Sequence, residues 1–434
     1  MANARLLAVQ LLDRTFCENG FSNIVLDTAL DSSGLSVQDK KFCTVLYYGV
    51  IERKITLDYI ISQYCRQAKK LDITVSDILR LGIYQLLYMN SVPESAAVNE
   101  SVKLAVKMRC FKFKGLVNAV LRNFIRDDKK FKLPSDRYQK LSVEYSAPVW
   151  LVKKLISEYG RDYAVSVLES SVKNPPVAVR LNNLKADEQY FRENIGDIEI
   201  TAVEGIENCY RINGGDIISQ PAFEKGLFHV QDTASQLCCM ALAPRKNDIV
   251  VDLCSAPGGK AFTIAEIMGG TGTVYAFDLH ENRVKLIRKG AERLGILNIK
   301  AAQGDALVFN KDIPQADKVL CDVPCSGLGV IRRKPEIKYK NPQDFENLPD
   351  IQYRILENAS CYVKKGGELV YSTCTLSKAE NDDVIEKFLE NHSEFEKAEL
   401  PVFFSEKFSG FKAVLSPAFY DCDGFFISKI KRVR

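Results

Sequence analysis

Histidine is scarce in this chain. Only His229, His280 and His392 occur in 434 residues, which leaves little material for a His-rich metal site or a Ser-His-Asp triad. Cys238 and Cys239 are adjacent, a spacing that suits neither a zinc site nor a disulfide framework, so no metal is expected. No apolar run approaches the roughly 18 residues that read as a membrane span. Met1-Ala2-Asn3-Ala4-Arg5 lacks the apolar core of a signal peptide. A dominant charge is missing too: 59 basic residues face 55 acidic ones, a net +4. That balance does not by itself indicate nucleic-acid binding, although a local basic patch is compatible with it. Cysteine, by contrast, is plentiful. The 13 cysteines are odd in number and irregularly spaced. With no secretory signal they predict a cytoplasmic protein with reduced thiols, most of them small core residues.

At this length two or three domains are expected, and the 46% apolar fraction is ample for real cores. Residues 1–130 read as a helical domain. Apolar residues recur at helical spacing over Ala4 to Leu12, Lys41 to Ile51, Leu57 to Tyr64 and Ser76 to Tyr88, with further helices over Asn99 to Lys107 and Leu116 to Phe124. Ser76 or Asp77 is a candidate cap. Lys107, Arg109, Lys112, Lys114 and Arg122 surround Phe111 and Phe113, cations interleaved with aromatics as in single-strand binding surfaces. Residues 131–245 read as a linker and a small α+β domain. A helix runs from Trp150 to Tyr159, a strand from Val177 to Asn182, and a turn falls at Asn213-Gly214-Gly215-Asp216.

Residues 246–434 alternate strand and helix, which predicts a parallel sheet covered on both faces. Strands are expected over Ile249–Leu253, Thr273–Asp278, Ile299–Gln303, Lys318–Asp322 and Glu368–Ser372. The first ends in Cys254-Ser255-Ala256-Pro257-Gly258-Gly259-Lys260, a turn of small residues before a helical pattern. Gly258 and Gly259 let the backbone approach a ligand, and the helix start offers unpaired N–H groups. Asp278 closes the second strand 20 residues past Gly258, where a carboxylate can accept both ribose hydroxyls of a nucleoside. An acidic rim suits a cationic ligand better than a phosphate. Two further stretches end later strands: Asp322-Val323-Pro324-Cys325-Ser326-Gly327 and Tyr371-Ser372-Thr373-Cys374-Thr375.

These three stretches, in this order, resemble the S-adenosylmethionine (SAM) dependent RNA 5-methylcytosine methyltransferases. Val98-Asn99-Glu100-Ser101-Val102 and Gly115-Leu116-Val117-Asn118-Ala119-Val120-Leu121 resemble the recognisable stretches of NusB-like bundles. The pairing is similar to the RsmB (Sun/Fmu) branch, which methylates small-subunit ribosomal RNA. The resemblance implies an all-α NusB-like RNA-binding domain, a small α+β domain of RNA-recognition type, and an α/β Rossmann-like methyltransferase domain. It implies S-adenosyl-L-methionine as cofactor and 16S rRNA, or the assembling small subunit, as partner, with no membrane and a monomeric chain.

The resemblance also assigns residues. Cys254, Ser255, Ala256, Pro257, Gly258, Gly259, Lys260, Asp278, Arg283, Asp305 and Asp322 are expected to border SAM. Cytosine C5 is not nucleophilic at neutral pH, but a thiolate adding to C6 makes the ring an enamine whose C5 can accept a methyl group. Cys374 is the expected nucleophile and Cys325 the thiol that helps release the product. Asp322 is expected at N3 and the exocyclic amine, and Lys260 lines the pocket and can favour a thiolate. Arg180 and Asn182 would face RNA. The basic run Ile331-Arg332-Arg333-Lys334-Pro335-Glu336-Ile337-Lys338 predicts phosphate contact beside the site. Asp232, which precedes a helical stretch, suits a helix cap. Family members often carry a histidine shortly before Asp423-Gly424-Phe425-Phe426; Tyr420 stands there here, so no role is carried over to it. The alternatives are a DNA cytosine-5 methyltransferase, which needs only the Pro-Cys thiol, an enzyme acting on another RNA such as tRNA, and a NusB-type RNA-binding factor without catalysis.

Overall fold

The computed structural model describes residues 3–18, 22–401, 410–417 and 421–434; Tyr420 lies outside them. The chain forms two compact units, one of residues 1–173 and 331–340, the other of residues 174–330 and 341–434. Among the described residues no helix is long and apolar enough to cross a membrane.

The first unit is helical: Ala4–Glu18, Ser22–Ser32, Val37–Tyr64, Ile73–Tyr88, Glu94–Lys107 and Lys114–Arg126, followed by Arg137–Glu144, Val149–Tyr159 and Arg161–Ser170. Its core gathers Leu46, Tyr47, Ile78, Leu79, Val120 and Phe124 from three of these helices. The two helices expected over Lys41–Ile51 and Leu57–Tyr64 are one helix of 28 residues. The polar stretch Glu52-Arg53-Lys54 between them does not break it, because these long side chains leave the axis sideways and pair there, Arg53 Nε with Glu52 Oε1 at 3.0 Å and Lys54 Nζ with Asp58 Oδ2 at 3.2 Å. The cap of the Ile73–Tyr88 helix is Asp72, whose carboxylate accepts from Thr74 N, whereas Asp77 is buried inside the helix and pairs with Arg80 at 2.6 Å.

The basic run departs from its expectation at two of its four cations, while Lys334 stays exposed. Arg332 and Lys338 are buried, not offered to phosphate. Lys338 Nζ donates to the carbonyl of Glu52 at 2.8 Å and Tyr339 OH to that of Ile51 at 2.6 Å, so residues 331–340 lie as a strap along the 28-residue helix. Apolar Ile331, Pro335 and Ile337 are buried with them. A basic segment punctuated by such residues can bury its stems and satisfy its ammonium on backbone carbonyls.

The second unit contains two sheets. The smaller is antiparallel in the order β2 (Glu199–Ala202), β3 (Cys209–Asn213), β1 (Val177–Leu181), β4 (Phe228–Val230). On β1, Val179 and Leu181 enter a core with Phe191, Tyr210 and Phe228. Arg180 and Asn182 are buried and do not face RNA. Arg180 Nε meets Glu266 Oε2 at 2.8 Å, and Asn182 Nδ2 donates to the carbonyls of Gly226 and Leu294 at 3.0 and 2.8 Å. The alternation of β1 is real, but its polar face is covered by the helices that carry Glu266 and Leu294.

The larger sheet has the path β10 (Phe395–Lys397), β12 (Phe425–Arg432), β9 (Val363–Thr373), β8 (Ala316–Asp322), β5 (Ile249–Asp252), β6 (Thr273–Asp278), β7 (Ile299–Gln303), with β11 (Lys412–Leu415) beside β12. Strands β5 to β9 are parallel, and β12 is antiparallel to β9. Alternate residues feed two cores: Val250, Leu320 and Val370 on one face, Val251, Val319 and Leu369 on the other. Burial on both faces explains the near-continuous apolar runs of β5 and β8. The order reverses at β5, between β6 and β8, so a crevice opens there beyond the strands' carboxyl ends.

Candidate active site

The crevice is built on the turn after β5. Ser255 N bonds to the carbonyl of Phe277 at 2.7 Å, and Gly258 N to that of Ser255 at 2.8 Å. Gly258 has φ +108°, and a Cβ there would stand 2.5 Å from the Phe262 ring, so both backbone and space require glycine. At Gly259 a Cβ would meet nothing nearer than 3.7 Å; the protein's own packing does not demand that residue. The helix Gly259–Ile267 then begins. Cys254 packs towards the Val251 core, and burial pushes its thiol up. Burial also pushes the Asp252 carboxyl up to about 7, and neither of its oxygens has a hydrogen-bond partner among the described residues.

Along the β6 and β7 ends, Asp278 Oδ1 accepts from His280 N at 3.1 Å while Oδ2 faces Arg283 Nη1 at 3.4 Å. Arg283 Nη2 donates to the carbonyl of Ala256 at 3.0 Å, joining the two turns. Asp278 does not cap the next helix, which starts after His280. Asp305 Oδ1 accepts from Leu307 N at 2.9 Å. Asp305 also borders a cavity of about 370 Å³ with Leu253, Phe277, Ala306, Phe309 and Tyr362. Asp232 is the N-cap of the helix Thr233–Leu242, accepting from Ala234 N.

The ends of β8 and β9 bring the remaining residues together. Asp322 accepts from Lys260 Nζ at 2.7 Å on one oxygen and from Ser372 Oγ at 2.8 Å on the other. Burial alone would lower the Lys260 ammonium, but the Asp322 carboxylate outweighs it and holds the amine charged. Its ammonium also lies 5.1 Å from the centre of the Phe425 ring. Beyond the ladder, Cys325 Sγ and Cys374 Sγ are 3.2 Å apart. Contact with Cys374, burial and the Glu380 carboxylate all push the Cys325 thiol up. Sequence reasoning gave no role to Ser372 and did not single out Glu380, a buried carboxylate that accepts from Ser326 N at 2.8 Å. The one local sign of Glu380 is an acidic residue just ahead of the Asp382–Asn391 helix.

A doubly wound sheet with a glycine turn at its switch point and a ring of carboxylates is the framework of the Rossmann-like methyltransferases. Residues 239–431 match the model of the family described as 16S rRNA methyltransferase RsmB/F, and residues 2–126 match that of the NusB family. The chain is 36% identical to the probable ribosomal RNA small subunit methyltransferase B of Bacillus subtilis, over 99% of this chain and 99% of the relative. Its fold is like that of the solved structure of PH0851, with a TM-score of 0.82 over 100% of this chain and 99% of that one at 24% identity. A solved methyltransferase homologue from Pyrococcus horikoshii is 28% identical, with a TM-score of 0.60 over 69% of this chain and 100% of that one. The chain belongs to the RsmB/F family of methyltransferases.

Proposed function

We propose that this protein methylates C5 of a specific cytosine in 16S ribosomal RNA, with S-adenosyl-L-methionine as donor and a covalent bond from Cys374 to C6. The observation that carries the reading is the pair of thiols 3.2 Å apart at adjacent strand ends, beside the Lys260–Asp322 pair. The relatives' names, ribosomal RNA small subunit methyltransferase B, support the choice of RNA.

The site suits the cofactor. SAM is cationic at sulfur, and Asp278, Asp305 and Asp322 bring carboxylates to the crevice at or just beyond the strand ends. When bound, SAM supplies an electrophilic methyl group. The turn Cys254-Ser255-Ala256-Pro257-Gly258-Gly259-Lys260 offers it backbone groups, Asp278 a partner for ribose hydroxyls with Arg283 as its brace, and Asp305 a partner for an adenine amine.

The chain's own residues then divide the work on the base. Cys374, as thiolate, adds to C6 and leaves C5 nucleophilic. Asp322 faces N3 and the exocyclic amine; as the C6–S bond forms, N3 takes a proton through Asp322 from the Lys260 ammonium bonded to it, and returns it after methyl transfer. After C5 is methylated a solvent base takes its proton, that electron pair re-forms the C5–C6 double bond, and the C6–S bond breaks to return the Cys374 sulfur. Contact with Cys374, burial and the Glu380 carboxylate push the Cys325 thiol up, which suits it to give a proton to the departing sulfur.

Bisulfite sequencing of rRNA from a strain lacking the protein tests the substrate. The expected result is loss of one 5-methylcytosine from 16S rRNA, restored by the wild-type gene and not by Cys374→Ala. An unchanged 16S pattern, or restoration by Cys374→Ala, overturns the reading.

A further inference from the structure

We infer that Glu380 and Asn381 are positioning residues that hold the two thiols at their working separation. The inference rests on the reading that Cys374 attacks and Cys325 assists release. The ladder between β8 and β9 ends at Asp322 and Ser372, before either cysteine. Past that point main-chain bonds are few: Val323 N to the carbonyl of Ser372, and Gly329 N to that of Cys374. The relation of one loop to the other therefore depends on side chains.

Those side chains converge on one dipeptide. Glu380 Oε2 accepts from Ser326 N at 2.8 Å and from Gln352 Nε2 at 3.0 Å, and Oε1 accepts from Ser326 Oγ at 2.6 Å. Gln352 Nε2 also donates to the carbonyl of Pro324 at 2.9 Å. Pro324 and Ser326, the residues on either side of Cys325, are thus both tied to Glu380 or its partner. Asn381 treats Cys374 the same way. Its Oδ1 accepts from Thr373 Oγ1 at 2.6 Å and its Nδ2 donates to the carbonyl of Thr375 at 3.0 Å. Ser326 Oγ and Thr375 Oγ1 join the two brackets at 2.7 Å, and Tyr371 OH donates to the carbonyl of Glu380 at 2.6 Å. Glu380 and Asn381 are 3% and 0% exposed, so water cannot replace these bonds. Two N–H donors meet on Oε2 and the Ser326 hydroxyl meets Oε1; because a hydroxyl can also accept, an amide in this place could keep all three contacts, whereas removing the side chain leaves all three partners without it.

The test compares Glu380→Ala with wild type on substrate RNA and unmodified SAM. Turnover is expected to fall on the order of 10²-fold, the cost of an ångström's misplacement, and a denaturation-resistant RNA–protein adduct, released by wild type, is expected to persist. Should Glu380→Ala fail to fold, Ser326→Ala, which removes one of the three donors, is expected to move both readouts the same way by less. Phenylarsine oxide, which bridges paired thiols, probes the geometry without RNA: wild type is expected to give a Cys325–Cys374 bridge by peptide mapping, and the variants to form it more slowly. Unchanged turnover, slower turnover without a persistent adduct, or arsenical bridging as fast as wild type overturns the inference. Full activity of Cys374→Ala would instead strike the mechanism beneath it, and the arsenical readout would still decide the positioning.

Discussion

Cys325 and Cys374 are 49 residues apart in the chain and 3.2 Å apart at their sulfur atoms. Their surroundings differ: the Glu380 carboxylate is bonded to the loop that carries Cys325 and helps to push that thiol up. Removing Cys325 should leave attack intact and remove assistance to release. Cys325→Ala is therefore expected to accumulate methylated RNA bound to protein, seen as a slow band on denaturing gels, while Cys374→Ala gives none. A Cys325→Ala enzyme that turns over without such a band would assign release to another group.

Arg180 and Glu266, 4% and 0% exposed at their side chains, tie β1 to the helix that starts at Gly259. Arg180→Ala leaves a buried carboxylate uncompensated, which costs about 3–5 kcal/mol. A fall of that size in denaturant stability, with RNA affinity of the still-folded fraction unchanged, is the expected outcome. Weakened RNA binding at unchanged stability would restore an RNA-facing role.

Gly49 sits inside the Val37–Tyr64 helix, where glycine lowers helix stability by about 1 kcal/mol relative to alanine. Its reason is packing: a Cβ there would lie 2.1 Å from the Tyr84 ring. Gly49→Ala should therefore destabilise by about 1–3 kcal/mol despite the gain in propensity. Thermal unfolding of Gly49→Ala beside Gly49→Ala/Tyr84→Leu checks this, since the smaller side chain is expected to recover part of the loss.

Lys338 gives the strap a pH dependence. Burial lowers its ammonium to about 7, partly opposed by the Glu52 carboxylate, whereas in the unfolded chain a lysine holds its proton to about 10.4. Between those values the unfolded state binds more protons, so stability rises with pH, by up to about 1.4 kcal/mol per unit from this group. Lys338→Met is expected to show a flatter slope than wild type from pH 7 to 10 in denaturant unfolding. Parallel slopes would mean that the folded protein keeps Lys338 charged.

What the sequence determined by itself is local. The strand Thr273–Asp278 was readable as it stands because a covered parallel strand writes itself as a short apolar run between turns, and Ile299–Gln303, a largely exposed strand at the sheet edge, was placed by the strand–helix alternation around it. The turn at Gly258 was readable because its small residues have a backbone purpose that neighbours in sequence disclose. Only the tertiary structure decided the partners of charge. Arg180 bonds to a residue 86 positions away and Lys338 to one 286 away, so each looked like a cation offered to RNA. The 28-residue helix looked broken for a related reason, since a polar stretch in a helix is silent about what lies beside it. Hydrogen-bond partners of buried polar groups are set by which segments the fold stacks together, and no local pattern encodes that.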